Sequence, residues 1–143
     1  RTTLICGFPG ETQEIHEELM QFVNDMEFDR LGAFTYSPEE GTPAAEMPDQ
    51  VPEETKEAWR DEIMALQQEI SYDLNSVLVG KQMRVIVDGY IYKDQMYMCR
   101  SYMDAPGIDG CVFVASEEEL LSGDFIDVKI TDFNEYDLIG ERV

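Results

Sequence analysis

Basic side chains are scarce in this chain. Ten Lys and Arg stand against 31 Asp and Glu, a net charge of −21. Acidity of that order excludes the Lys- and Arg-rich footprint through which proteins meet a nucleic-acid phosphate backbone. It attracts a basic protein or peptide, and it also serves solubility; composition alone leaves both readings open. Long apolar runs are missing as well. None approaches the roughly 20 residues that span a bilayer, and no stretch reads as a signal peptide. A soluble, cytoplasmic protein without a membrane partner is expected. Cysteine is limited to Cys6, Cys99 and Cys111, too widely spaced for a zinc or redox motif. All three fall in strand-like segments, where buried and inert thiols are expected and no metal site is.

What is present suffices for one good core or two small ones, since 43% of the 143 residues are apolar. Arg1 runs directly into strand residues, so the sequence reads as cut from something longer. After the strand "TTLICGF", Thr12 is placed to cap a helix, with Glu11 and Glu14 favouring its dipole. Ile15, Leu19, Phe22, Val23 and Met26 recur at helical spacing and predict one apolar stripe. His16 sits beside that stripe, as a surface or boundary residue. Phe28 to Ser37 reads as the next strand, which makes a βα unit of a parallel sheet. Ser37 to Pro52 is a loop rich in Pro and acids. A long helix then runs from Pro52 towards Gly80, with Trp59, Ile63, Leu66, Ile70 and Val77 on its buried side.

Beyond Gly80 five β-like runs follow: "KQMRVIVDGYIY", "QMYMCRSY", "CVFVAS", "GDFIDVKITDF" and "YDLIGERV". Five short strands with turn signals between them predict a small closed barrel of the OB kind. The expected fold class is therefore α/β over residues 1–75, followed by an all-β, five-stranded OB-like barrel over residues 76–143. Tyr90, Tyr92, Tyr97 and Tyr102 read as barrel core plus strand surface, with a base-stacking platform as the alternative.

The turn "GFPGET" follows a strand and opens a helix, the usual place for a phosphate. A P-loop needs Lys and Ser/Thr after its second glycine, whereas Gly10 precedes Glu11. The dinucleotide G-x-G-x-x-G is absent too. An acid there repels phosphate and accepts hydrogen bonds from an amine or a ribose hydroxyl. The glycines admit a flat group close to the backbone. Spacing alone favours a structural turn.

The order Ile5-x-Gly7-x-x-x-Glu11 nevertheless resembles the adenosylmethionine-contact motif found late in radical SAM barrels. The family's preceding glycine is replaced here by Thr3. "GFPGET", "FTYSPEEGTPAA", "ALQQEIS", "LVGK", "DAPGIDG" and "GDFIDVKITDFNEYDLIGE" occur in the order seen in the radical SAM methylthiotransferases, so the resemblance covers essentially the whole chain. It implies the last βα units of a radical SAM partial TIM barrel, a connecting helix and a TRAM domain. Within the family, "YSPEEGT" and "DAPGIDG" resemble the branch that modifies a ribosomal protein rather than the branch that modifies tRNA. The charge agrees: residues 76–143 hold 6 basic and 13 acidic side chains, net −7, where an RNA-binding domain is basic.

The resemblance implies a full-length enzyme that adds a methylthio group to the β-carbon of an aspartate in small-subunit ribosomal protein twelve. It would use S-adenosyl-L-methionine and two 4Fe-4S clusters. Ile5, Gly7 and Glu11 would lie near the nucleoside. Asp104 and Asp109 would recognise the basic protein substrate, with no direct RNA binding; capping of the Pro106–Gly107 turn is the alternative for both. The Cys-x-x-x-Cys-x-x-Cys of the radical cluster is absent from this sequence. No cluster or cofactor is therefore expected to be held by these residues alone, no catalytic residue is assigned, and the chain alone should be inactive. A tRNA methylthiotransferase and a stand-alone acidic protein-binding module are the competing readings.

Overall fold

The computed structural model describes residues 1–143, which divide into two compact units, Arg1–Ile70 and Ser71–Val143. The first unit begins with strand β1 (Thr2–Cys6), helix α1 (Gln13–Met26) and strand β2 (Leu31–Thr35). β1 and β2 pair in parallel, Thr2 opposite Leu31 through Cys6 opposite Thr35. Thr12 caps α1 by accepting from the Ile15 amide, as its position in sequence predicts.

The buried side of α1 departs from its apolar stripe. His16 and Val23 are its buried residues, whereas Ile15, Phe22 and Met26 are exposed. The reason lies in helix α2 (Glu53–Ser76), whose Trp59 meets α1 beside the stripe rather than on it. The His16 and Trp59 rings stack at 5.0 Å with an interplanar angle of 11°. His16 Nε2 lies 2.8 Å from Glu62 Oε2, and Trp59 Nε1 donates to Gln13 Oε1. His16, expected at the surface or a boundary, is fully buried because this stack covers it.

The buried face of α2 within this unit runs Lys56, Trp59, Ile63, Gln67, Ile70, a helical spacing that includes two polar residues. Both reach backbone oxygens at strand ends. Lys56 Nζ donates to Tyr36 O at 2.9 Å, just past β2, and Gln67 Nε2 donates to Phe28 O at 2.7 Å, just before it. The loop expected over residues 37–52 contains a short 3₁₀ helix, Pro43–Glu46, capped by Thr42.

In the second unit α2 ends at Ser76, and Val77, expected on the buried side, is exposed. The unit boundary falls between Ile70 and Ser71, five residues before the expected one. The last turn of α2 packs with the barrel: Tyr72 meets Phe133 at 4.9 Å, and Asn75 Nδ2 donates to Asn134 O.

The barrel strands are β3 (Gln82–Ile91), β4 (Met96–Arg100), β5 (Val112–Ala115), β6 (Phe125–Phe133) and β7 (Leu138–Arg142). They close in the order β3-β4-β5-β7-β6, with β5 and β7 parallel and every other pair antiparallel. Alternate residues point inward, as strand pleating requires. Val85, Val87, Cys99, Val112, Val114, Val128, Ile130 and Leu138 form most of the core. Of the four tyrosines only Tyr97 is buried in it; Tyr92 and Tyr102 are largely exposed.

Candidate functional site

The turn after β1 is built around one carboxylate. Glu11 Oε2 accepts from the Gly7 amide at 2.5 Å and from the Phe8 amide at 3.1 Å. Gly7 and Gly10 both sit at positive φ, 78° and 88°, where a side chain strains the backbone. The Gly10 amide donates to Asp49 O, so the acidic loop closes over the turn. Phe8 packs edge-on against Tyr36 at 5.3 Å.

Glu11 uses only one of its oxygens in this way. Oε1 is buried and has no hydrogen-bond partner. Glu11 also lines, with Ile5, Phe8, Pro9, Gly10, Ile15 and Leu19, a hollow of about 410 Å³. A mostly apolar lining with one carboxylate residue suits a ligand with an apolar or aromatic body and an N–H or O–H donor. Ile5 and Glu11, read from the sequence as nucleoside contacts, therefore share one hollow. Phe8, Ile15 and Leu19 were missed; the strand–turn–helix order that brings the first turn of α1 beside the end of β1 was the signal for them.

Gly7 plays another part than a flat ligand group would give it. A Cβ there would lie 2.0 Å from Lys56 Cγ and 2.6 Å from Cδ, so the close approach is made by a side chain of this chain. Lys56 is 5% exposed.

Asp104 and Asp109 sit together in the loop between β4 and β5. Asp104 is 7% exposed and accepts from Ser101 Oγ at 2.6 Å, while Asp109 Oδ2 accepts from the Ala105 amide at 2.7 Å. Both carboxylates are engaged by their own loop, which is the turn-capping geometry. The acids that face solvent are elsewhere on the barrel, among them Glu117, Glu118, Glu119, Asp124 and Asp127.

Burial pushes the Cys6 thiol up to about 11, with the Glu11 charge adding to it, and pushes Cys99 up to about 12, with Asp88 adding. The chain groups no three His, Cys, Asp or Glu residues as a metal-ligand set. No helix is long and apolar enough to cross a membrane.

Comparison with known proteins extends this picture to the whole chain. Residues 79–143 match the family model described as TRAM domain. A protein of Lachnoclostridium phytofermentans named ribosomal protein uS12 methylthiotransferase RimO is 50% identical over 140 residues, 98% of this chain and 32% of its own length. Pelotomaculum thermopropionicum has a protein of the same name, 55% identical over 144 residues and 32% of its length. A third, from Clostridium botulinum, is 51% identical over 140 residues. The similarity to RimO thus runs from end to end, and the chain spans about a third of the length of these relatives.

Proposed function

We propose that this chain is the C-terminal part of a radical SAM methylthiotransferase that adds a β-methylthio group to an aspartate of small-subunit ribosomal protein uS12. The observation that carries the reading is identity near 50% to RimO proteins along the entire chain. In this reading Arg1–Ile70 supplies the last βα units of the radical SAM barrel and Ser71–Val143 is the TRAM barrel. The apolar face of the β1–β2 pair fits such a role: Ile5 and Phe34 are register partners, 58% and 63% exposed. Parallel sheets are otherwise covered on both faces.

Adenosylmethionine supplies the radical chemistry when bound to the whole enzyme. The residues of this chain bind and orient. Glu11 offers a carboxylate acceptor to the nucleoside, Ile5 and Phe8 bound its apolar surface, and Gly7 and Gly10 give the turn its shape. Cluster ligands come from outside these residues, and the chain alone is inactive.

The barrel is the part that meets the protein substrate. Its solvent-facing acids attract a Lys/Arg-rich surface and repel phosphate, which favours a basic ribosomal protein over RNA. The site of action is the cytoplasm, where ribosomes are assembled.

The test is mass spectrometry of uS12 from cells that carry or lack the gene for the intact protein. Loss of the methylthio group from uS12 on deletion is expected. An unmodified uS12 in both strains, with a methylthio nucleoside lost from tRNA instead, overturns the assignment.

A further inference from the structure

We propose that Lys56 is a positioning residue for the Gly7–Glu11 turn, acting through Gly7 and through the end of β2 to hold the carboxylate of Glu11 in place. The inference rests on the reading of this turn as an edge of the adenosylmethionine site.

Lys56 is the one Lys or Arg among the buried residues, at 5% exposure. Burying an ammonium is costly unless it is paired and hydrogen-bonded. Its Nζ meets that condition at two oxygens, Tyr36 O at 2.9 Å and Glu53 Oε2 at 2.7 Å. It also lies 5.7 Å from the centre of the Tyr36 ring. Tyr36 in turn donates its amide to Cys6 O at 2.8 Å and packs against Phe8. The ammonium therefore fixes the chain just past β2, which is hydrogen-bonded to the end of β1.

The methylene stem does the rest. It fills the space that a side chain at Gly7 would occupy, with Cγ, Cδ and Cβ at 2.0, 2.6 and 3.0 Å from the position of a Cβ. The same Gly7 donates its amide to Glu11 Oε2, and Phe8 does likewise. The stem supports the peptide whose amides hold Glu11 Oε2. Glycine at position 7 thus has two causes, a φ of 78° and the Lys56 stem.

The first readout needs no bound cofactor. Amide hydrogen exchange of this chain should show Gly7 and Phe8 opening roughly tenfold faster in Lys56→Ala, about 1.4 kcal/mol of lost protection, with the middle of α1 unchanged. Lys56→Met keeps the stem and should retain most of the protection. Gly7→Ala should loosen the turn, and Gly7→Ala combined with Lys56→Ala should recover part of it, because the contacts with Cγ and Cδ are gone while the tight Cβ contact and the positive-φ strain stay. Unchanged exchange at Gly7 and Phe8 in Lys56→Ala overturns the inference.

The second readout is adenosylmethionine affinity in the reconstituted intact enzyme. Lys56→Ala should raise KM for adenosylmethionine roughly tenfold with kcat little changed, and Lys56→Met should restore it. Glu11→Gln separates the two ideas. If Glu11→Gln weakens adenosylmethionine binding and Lys56→Ala does not, the positioning role is wrong. If neither affects it, the reading of the turn as part of that site is wrong, and the exchange data still decide what Lys56 does for the turn.

Discussion

Asp104 and Cys99 show how far a single residue's environment can part from its type. An aspartate in an acidic protein invites a role at the surface, yet the Asp104 carboxylate is turned inward to the Ser101 hydroxyl. Replacing it with Asn should weaken the loop between β4 and β5 by about 1–3 kcal/mol, the usual cost of spoiling a buried hydrogen bond. Chemical denaturation reads that cost, and binding to a basic partner should change no more than stability does. Cys99 is a thiol sealed in the barrel core, held up to about 12 by burial, and Cys6 is held up to about 11 in the first unit. Because both folded values are raised, the neutral thiols add stability that is complete below the ordinary value of 9.0 and lost as pH climbs through 11 and 12. Iodoacetamide at pH 8 should therefore modify Cys111, which is partly exposed, well before Cys6 or Cys99. Rapid labelling of Cys99 in the native protein would contradict the closed barrel.

Elements were legible in the sequence to the degree that one face of each was apolar and nothing polar shared it. All five barrel strands were expected in place, because Val85/Val87, Val112/Val114 and Ile126/Val128/Ile130 alternate cleanly and Gly or Asp punctuates the turns. A turn between β1 and α1 was legible too, from the glycines between a strand and a helix, whereas the Ile5, Gly7 and Glu11 contacts came from family resemblance alone. The helices were harder. In α1 Ile15, Phe22 and Met26 of the apolar stripe face solvent while Val23 and a histidine are buried, and in α2 Lys56 and Gln67 share the buried face with Trp59 and Ile63. Hydrophobic periodicity cannot anticipate a polar side chain that is buried because its partner is a backbone oxygen across the fold. Nor does sequence show why Gly110 is a glycine. It has an ordinary φ, but a Cβ there would meet Tyr136 O at 1.8 Å and Tyr136 C at 2.8 Å. Backbone cannot swing aside as a flexible side chain can, so Gly110→Ala should cost several kcal/mol, in the upper range for overpacking. Gly123→Ala, with open space around it, should cost about 1 kcal/mol for its positive φ alone. Denaturant midpoints of the two variants give the comparison; equal effects would mean that the Gly110–Tyr136 approach is not a rigid one.

At the scale of the whole molecule the charge is uneven, and the unevenness bears on the partner. Residues 1–75 carry 4 basic and 18 acidic side chains, net −14, against net −7 for residues 76–143. Acidity is therefore not a property of the barrel alone, and a basic partner of the kind proposed would meet it on both units. Long-range attraction of this kind speeds encounter more than it tightens the final complex. It is also screened: the Debye length falls from about 10 Å at 0.1 M salt to about 3 Å at 1 M. The intact chain and a Lys/Arg-rich peptide should associate much faster at the lower salt, with the dissociation rate changing less. Neutralising the exposed Glu117, Glu118 and Glu119 together should lower the association rate, whereas Asp104→Asn should leave it alone, because only the first three present their charge to solvent. A tRNA anticodon stem-loop should show no saturable binding at either salt, since 31 acids and 10 bases offer it few phosphate contacts. Surface plasmon resonance with both ligands at both salts measures all of this, and RNA binding tighter than that of the peptide would return the chain to the tRNA-modifying branch.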